Sequence, residues 1–196
     1  MEPTLHDNID PAFAALAQRI ARLEARVQIR ELVARYCFSI DARDIEEIGQ
    51  CFTRGGSFRS LDGVMNAAGR DAVVAQFHGR FAVLGPSNHF THDHVIEFDD
   101  GDAARATGIV NSHAEVVRND EPMLASLRYH DEYRVEDGRW RFHVRTLAFF
   151  YYLRPKDYRT ALTTSLRNQA YQKPQSADFP ESSPTWQRYY RDHPRK

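Results

Sequence analysis

Between Phe13 and Val27 apolar residues recur every three or four positions, at Phe13, Leu16, Ile20, Leu23 and Val27, which is the spacing of one face of an α-helix. Asp10 and Pro11 precede them as a start signal: a capping carboxylate, then a residue whose fixed φ suits the first helical turn. Arg30 interrupts the stripe. Ile29, Leu32, Val33, Tyr36 and Ile40 resume a helical period on a slightly rotated face, so the segment reads as one long amphipathic helix with a bend, or as two helices in succession. Asp44 can cap a further short helix, Ile45 to Phe52, which Arg54, Gly55 and Gly56 stop. Ser57 to Arg59 reads as a short strand, and Leu61 to Val64 as a turn. Gly69, Arg70 and Asp71 then open a helix with Val73, Val74, Phe77, Phe81 and Leu84 as its buried stripe.

After a turn at Gly85-Pro86-Ser87-Asn88 the period changes to two. His94 to Phe98, Ala103 to Arg118, Met123 to Val135 and Arg139 to Tyr152 read as strands, joined by turns over residues 99–102, 119–122 and 136–138. About three helices followed by an antiparallel meander is an α+β pattern. Beyond Tyr152 apolar density falls: Lys156 to Ala170 suits a helix, and Lys173 to Lys196 a polar tail, mobile or ordered on contact. In that tail Trp186, Tyr189 and Tyr190 form an apolar knot suited to docking on a neighbouring surface. The chain thus divides into a main domain, 1–153, with an N-terminal helical extension, and a C-terminal helix and polar tail, 154–196.

Composition narrows the function. A chain of 196 residues, 42% hydrophobic, supports one core rather than two. Its 26 basic and 27 acidic residues are interspersed, which argues against a nucleic-acid partner. There is neither an apolar run of about 20 residues nor a basic start followed by an apolar stretch, so a soluble cytoplasmic protein with no membrane partner is expected. Cys37 and Cys51 fall in helical segments and are expected to be reduced core residues.

Two residues stand out chemically. Asp41 ends a mostly apolar helical stretch, where a negative charge opposes the helix dipole and calls for compensation. His89 opens a strand-like run, so its ring can meet that carboxylate across a cavity, and an imidazole held by a carboxylate is a competent general base. Asp41 could instead cap the next helix, but Asp44 is better placed for that. Tyr36 lies about 140° from Asp41 on an ideal helix and borders the same cavity only if the helix end is distorted or Asp41 lies just past it. His113 shares a strand face with Ile109, Asn111 and Glu115. Arg145 shares one with Arg141 and His143, a charged face that would ordinarily meet solvent or an oligomer. The spacing of His89, His92 and His94 invites a metal reading, but alternation turns His92 and His94 away from His89 unless a bulge intervenes. No metal is expected, and Asp93 is expected nearer the pocket than its flanking histidines.

Several short motifs, each weak alone, resemble in order and spacing the SnoaL-like branch of the nuclear transport factor 2-like superfamily, which includes scytalone dehydratase, bile-acid 7α-dehydratase, hexachlorocyclohexane dehydrochlorinase, polyketide cyclases and steroid isomerases. They run from Ile29-Arg30-Glu31-Leu32 with Arg35-Tyr36, through Asp41-Ala42-Arg43-Asp44, Gly69-Arg70-Asp71-Ala72, His89 and Ile96 to Ala104. They close with Tyr129-His130-Asp131-Glu132-Tyr133, Asp137 to Phe142 and Arg145, so that the resemblance covers roughly 29–152. It implies a cone, with a curved, mixed but mainly antiparallel sheet wrapped around the helices and a deep pocket in which Asp41 and His89 face each other.

The resemblance further implies an assisting role for Tyr36, a pocket role for His113, and an oxyanion-binding or Asp41-supporting role for Arg145. Asp93 and Asn111 complete the expected substrate contacts. The dehydrochlorinase has a lysine where this chain has Tyr36, a departure that favours an oxygen-bearing substrate over halide elimination. The implied activity is a cofactor-independent dehydratase acting on a hydrophobic hydroxylated carbonyl compound, of polyketide, steroid or aromatic type. An isomerase or cyclase with the same dyad and a non-catalytic assembly subunit, like the small subunit of ring-hydroxylating dioxygenases, remain open. Family members generally pair through the outer sheet face, so a homodimer or trimer is expected.

Overall fold

The computed structural model describes residues 10–171 and 173–194. Asp10 caps the first helix through its side chain, which accepts from the Ala12 amide at 2.9 Å, and α1 then runs unbroken over Pro11–Ala42. Its two apolar stripes lie on nearly opposite sides of the helix rather than slightly rotated from one another, and they meet different fates. Ile29, Leu32, Val33, Tyr36 and Ile40 are buried, whereas Phe13, Leu16, Ile20, Leu23 and Val27 are each about half exposed or more. The first stripe is therefore not a core face: α1 projects beyond the sheet along its N-terminal half, where every residue from Pro11 to Glu24 is exposed.

Asp44 accepts from the Glu47 amide at 3.0 Å and caps α2, Ile45–Gln50. Strand β1, Phe52–Ser60, begins earlier than the sequence suggests: Arg54, Gly55 and Gly56 lie inside it, at an irregularity in pairing between Phe52 and Ser57. A Cβ on Gly56 would stand 3.0 Å from the carbonyls of Phe142 and Thr53, so glycine fits this close passage. Strand β2, Asn66–Ala68, and helix α3, Arg70–Phe81, follow, with Val73 and Phe77 facing inward.

The meander comprises β3, Leu84–Phe98; β4, Arg105–Arg118; β5, Glu121–Glu136; and β6, Arg139–Leu153. Residues 85–88, expected as a turn, are part of β3. The sheet order is β2-β1-β6-β5-β4-β3, with β1 parallel to β6 and every other pair antiparallel. The connections at Asn119-Asp120 and Asp137-Gly138 have positive φ at both residues, the tight primed geometry that matches the twist of paired strands.

The second half of α1 packs on the inner sheet face, where Tyr36, Phe52, Phe58, Phe77, Tyr129 and Phe142 make one edge-to-face and tilted aromatic cluster. Full burial of each such large side chain contributes on the order of 1.5–3 kcal/mol. Among the described residues no helix is long and apolar enough to cross a membrane.

The helix expected over 156–170 is short. After a 3-10 turn, Pro155–Asp157, α4 covers only Tyr158–Ala161, because the Thr163 and Thr164 hydroxyls take the carbonyls of Thr160 and Ala161 and end the spiral. The chain then returns along the end of β6. Buried Arg167 donates to the Phe150 and Thr164 carbonyls and forms a two-pronged pair with Glu181, both contacts at 2.8 Å, while Asp178 accepts from the Phe149 amide. A final helix, α5, Pro184–Asp192, is capped by Ser183, and its Trp186 and Tyr190 rings lie 4.7 Å apart.

Candidate active site

Asp41 stands in the last turn of α1, and three donors meet its carboxylate. The Ser87 hydroxyl donates to Oδ1 at 2.7 Å, the His89 backbone amide to Oδ2 at 2.8 Å, and His89 Nδ1 lies 2.6 Å from Oδ1. Burial pushes the carboxyl pKa up, but these hydrogen bonds outweigh it and hold Asp41 below its ordinary value. An ionised Asp41 accepts only, so Nδ1 of neutral His89 carries the proton and Nε2 keeps its lone pair. That is the form of imidazole a general base requires.

The helix end supplies further compensation. Arg43, at the cap with φ 61°, folds its guanidinium back: Nη1 donates to the Ile40 carbonyl at 2.6 Å and to Ser87 Oγ at 3.0 Å, and Nη2 to the Gly85 carbonyl. The same group lies 4.4 Å from the centre of the Phe81 ring. Arg43 thus neutralises helix carbonyls and orients the serine that supports Asp41. Because residues 84–89 form a strand rather than a turn, Ser87 and His89 alternate onto the side facing the helix end, while a register shift between Leu84 and Ser87 accompanies the Gly85 carbonyl that Arg43 takes.

A second polar cluster occupies the inner face, and two bulges create it. In β3 the register shifts between Thr91 and His94, which brings His94 inward like His89; His94 Nε2 then lies 3.1 Å from the Tyr133 hydroxyl. In β6 the shift paired with Glu132/Tyr133 lets both Phe142 and Arg145 point inward. Arg145 is fully buried and makes a two-pronged pair with Asp131, at 2.9 and 2.8 Å, and Tyr133 donates to Asp131 at 2.7 Å.

Since the phenol gives its one proton to Asp131, His94 donates from Nε2. Burial lowers the His94 pKa to about 4, so this imidazole is neutral. Gly108 makes room here: a Cβ would meet Tyr133 Cε2 at 2.9 Å and His94 Nε2 at 3.1 Å. Burial disfavours the Arg145 charge, yet attraction to Asp131 more than offsets it and raises its pKa. The guanidinium carbon lies 4.4 Å from the ring centre of Tyr36 and 3.9 Å from those of Tyr129 and Phe142. Arg145 Nη1 is buried without a hydrogen-bond partner among the described residues.

The residues singled out from sequence therefore separate into groups. Asp41 and His89 meet. Arg145 is inward, but its partner is Asp131 rather than Asp41. Tyr36 sits among core aromatics beneath Arg145; α1 stays helical through Asp41, so the distortion that would bring the two side chains to one point is not present, and burial raises the Tyr36 pKa so that the phenol stays protonated.

His113, Asn111 and Asp93 are corrections. His89 pairs with Ala114, which places His113 on the opposite, outer face, where it stacks between Phe90 and His92 at 5.1 and 5.3 Å. Asn111 shares that face, donating to Asp93 at 3.3 Å and accepting from Arg128 at 3.1 Å. The bulge that the strand pattern could not foresee makes His94, not Asp93, the inward residue. Among the described residues no group of three or more histidines, cysteines or acids is arranged to hold a metal ion. Burial raises the pKa of Cys37 to about 11, as expected of a core thiol.

Sequence reasoning misses Ser87, Arg43, His94, Asp131 and Tyr133. The alternation of Tyr129, Asp131 and Tyr133 on one strand is the available signal, since an acid between two inward aromatics must find a buried partner. A cleft of about 550 Å³ lined by Arg30, Val33, Thr91, His92, Asp93, His94, Val95 and Val110 opens beside α1 at the bulge in β3, so Asp93 borders this cleft together with both flanking histidines; neither Asp41 nor His89 lines it.

Comparison with known proteins agrees with this architecture. No curated protein matches the sequence. Hexachlorocyclohexane dehydrochlorinase LinA-type3 from Novosphingobium barchaimii LL02 superposes with a TM-score of 0.63 at 18% identity, covering 69% of this chain and 93% of that one. A scytalone dehydratase-like protein from Novosphingobium aromaticivorans DSM 12444 gives 0.64 at 20% identity, covering 69% and 91%. A single-substitution variant of a protein of unknown function from Mycobacterium tuberculosis gives 0.55 at 26% identity over 76% and 79%. The model of the SnoaL-like domain matches residues 21–146, and the chain belongs to that family.

Proposed function

We propose that the protein is a cofactor-independent lyase that removes water from a hydrophobic hydroxylated carbonyl compound. The observation that carries this reading is the hydrogen bond of 2.6 Å between His89 Nδ1 and Asp41 Oδ1, on a carboxylate already fixed by Ser87 and the His89 amide. His89 Nε2 takes the proton from the carbon next to the carbonyl, and the C–H electron pair becomes the enolate. Asp41 stabilises the imidazolium that forms. When the enolate collapses, the bond to the neighbouring hydroxyl breaks, and the imidazolium returns its proton to the departing oxygen. Enone and water leave, and the base is restored.

Arg145, with Nη1 unpaired, is assigned as the donor toward the enolate oxygen. Two fold neighbours carry names that describe eliminations, one a dehydrochlorinase and one scytalone dehydratase-like, which supports an elimination here.

The test is a panel of hydrophobic β-hydroxy ketones incubated with the protein in heavy water and read by mass spectrometry. Loss of one water that disappears in His89→Ala supports the dehydratase. Deuterium uptake without loss of water replaces it with an isomerase or cyclase using the same dyad. Silence across the panel, with a second chain copurifying, replaces it with an assembly subunit.

A further inference from the structure

The N-terminal half of α1 carries an apolar stripe that the fold does not use. Phe13, Leu16, Ile20, Leu23 and Val27 are exposed by 48% or more, and their spacing of three, four, three and four residues is a heptad seam rather than a globular face. Core-facing Ala25, Ile29, Leu32, Val33, Tyr36 and Ile40 lie on the other side, roughly 170° around an ideal helix. The cone therefore holds the opposite side of the helix from Ala25 onward, and the projecting half leaves the seam open to a partner.

We propose that this stripe is the interface for the same helix of a second copy, forming a parallel two-stranded coiled coil. Residue choice supports two strands: Phe13, Ile20 and Val27 occupy the a positions and Leu16 and Leu23 the d positions, and β-branched residues at a with leucine at d favour a parallel dimer. Charge complementarity fixes the direction. In this register Arg19 and Arg26 are g residues, and Glu24 and Glu31 are e residues. Parallel pairing sets each g against the e five residues on in the partner helix, which gives Arg19 with Glu24 and Arg26 with Glu31, both attractive. Antiparallel pairing sets g against g and e against e, and all are repulsive. Arg26 also donates to the Ile96 carbonyl at 3.0 Å and lies over Phe98, so Arg19 and Glu24 are the pair free of the fold. Most of the seam precedes or opens the matched family region, which begins at residue 21, so this surface belongs to the extension.

Sedimentation velocity of the full chain across a concentration series tests the proposal. The wild type is expected to associate in multiples of two chains. Arg19→Glu alone and Glu24→Arg alone should each raise the dissociation constant by about tenfold, and the double reversal should restore it. Both side chains are exposed, so circular dichroism should be unchanged in all three variants. Ile20→Cys, at an a position, should cross-link copies under mild oxidation. A wild type that sediments as one chain throughout overturns the proposal. So does association that neither reversal weakens, or an Ile20→Cys variant that does not cross-link.

Discussion

His89 holds Asp41 with two bonds, the ring Nδ1 at 2.6 Å from one carboxylate oxygen and the backbone amide at 2.8 Å from the other. The backbone bond fixes where the carboxylate stands relative to the strand, and the ring bond fixes the tautomer. One residue thus sets both the position and the polarity of its own orienting partner. Asp41→Asn preserves the shape but can offer Nδ1 an amide hydrogen instead of a lone pair. Turnover should fall by about 10³- to 10⁴-fold while the melting curve stays cooperative. Steady-state kinetics with thermal unfolding on the same preparation checks both halves.

Ser87→Ala removes one of the three donors on Asp41 and leaves the ring bond in place. A hydrogen bond of this kind contributes about 1 kcal/mol. The Asp41 pKa should rise toward its ordinary value, and turnover at neutral pH should fall several-fold because the carboxylate that orients His89 is held less firmly. Titration of Asp41 by NMR, with kinetics on the same preparation, separates this from a simple loss of active protein.

The buried Arg145–Asp131 pair gives a different signature. Arg145→Met strands a buried carboxylate and should cost about 3–5 kcal/mol, read as a lower urea midpoint at constant slope. Combining Arg145→Met with Asp131→Leu should recover most of that loss, because the charge and its partner go together. If Arg145 also donates to an enolate, the double variant will be folded yet slow.

His94 makes stability depend on pH. Its folded pKa is lowered to about 4 by burial, against about 6.5 in the unfolded chain. Between those values the unfolded state binds the extra proton, so the contribution of a neutral, buried His94 is full above pH about 6.5 and is lost as pH falls toward about 4. Wild-type denaturation midpoints should therefore decline through that window more steeply than those of His94→Gln.

Local signals carried much of the architecture. Asp10-Pro11 and Asp44 start helices because capping is a contact between near neighbours, and the meander is legible because alternation and turn residues are local as well. Asp41 and His89 could be paired because each had an unmet need of its own. The bulges at Thr91/His94 and Glu132/Tyr133 were not legible: one extra residue inverts every later side chain, and nothing in the local composition marks it. That inversion brought His94 inward, whereas Asn111 and His113 lie on the outer face because His89 pairs with Ala114, a register that no local pattern marks. The Phe13 to Val27 stripe illustrates the converse limit. Its period marks a helix that must bury a face, but the period does not say against what.

The central claim is that His89 removes a proton from carbon, and the primary isotope effect on a substrate found in the panel tests it most directly. With deuterium at the carbon next to the carbonyl, the wild-type rate should fall below that of the protiated compound, and His89→Ala should lose turnover while its unfolding midpoint stays near wild type. Equal rates for the two isotopologues, with His89→Ala as fast as the wild type, would contradict the account.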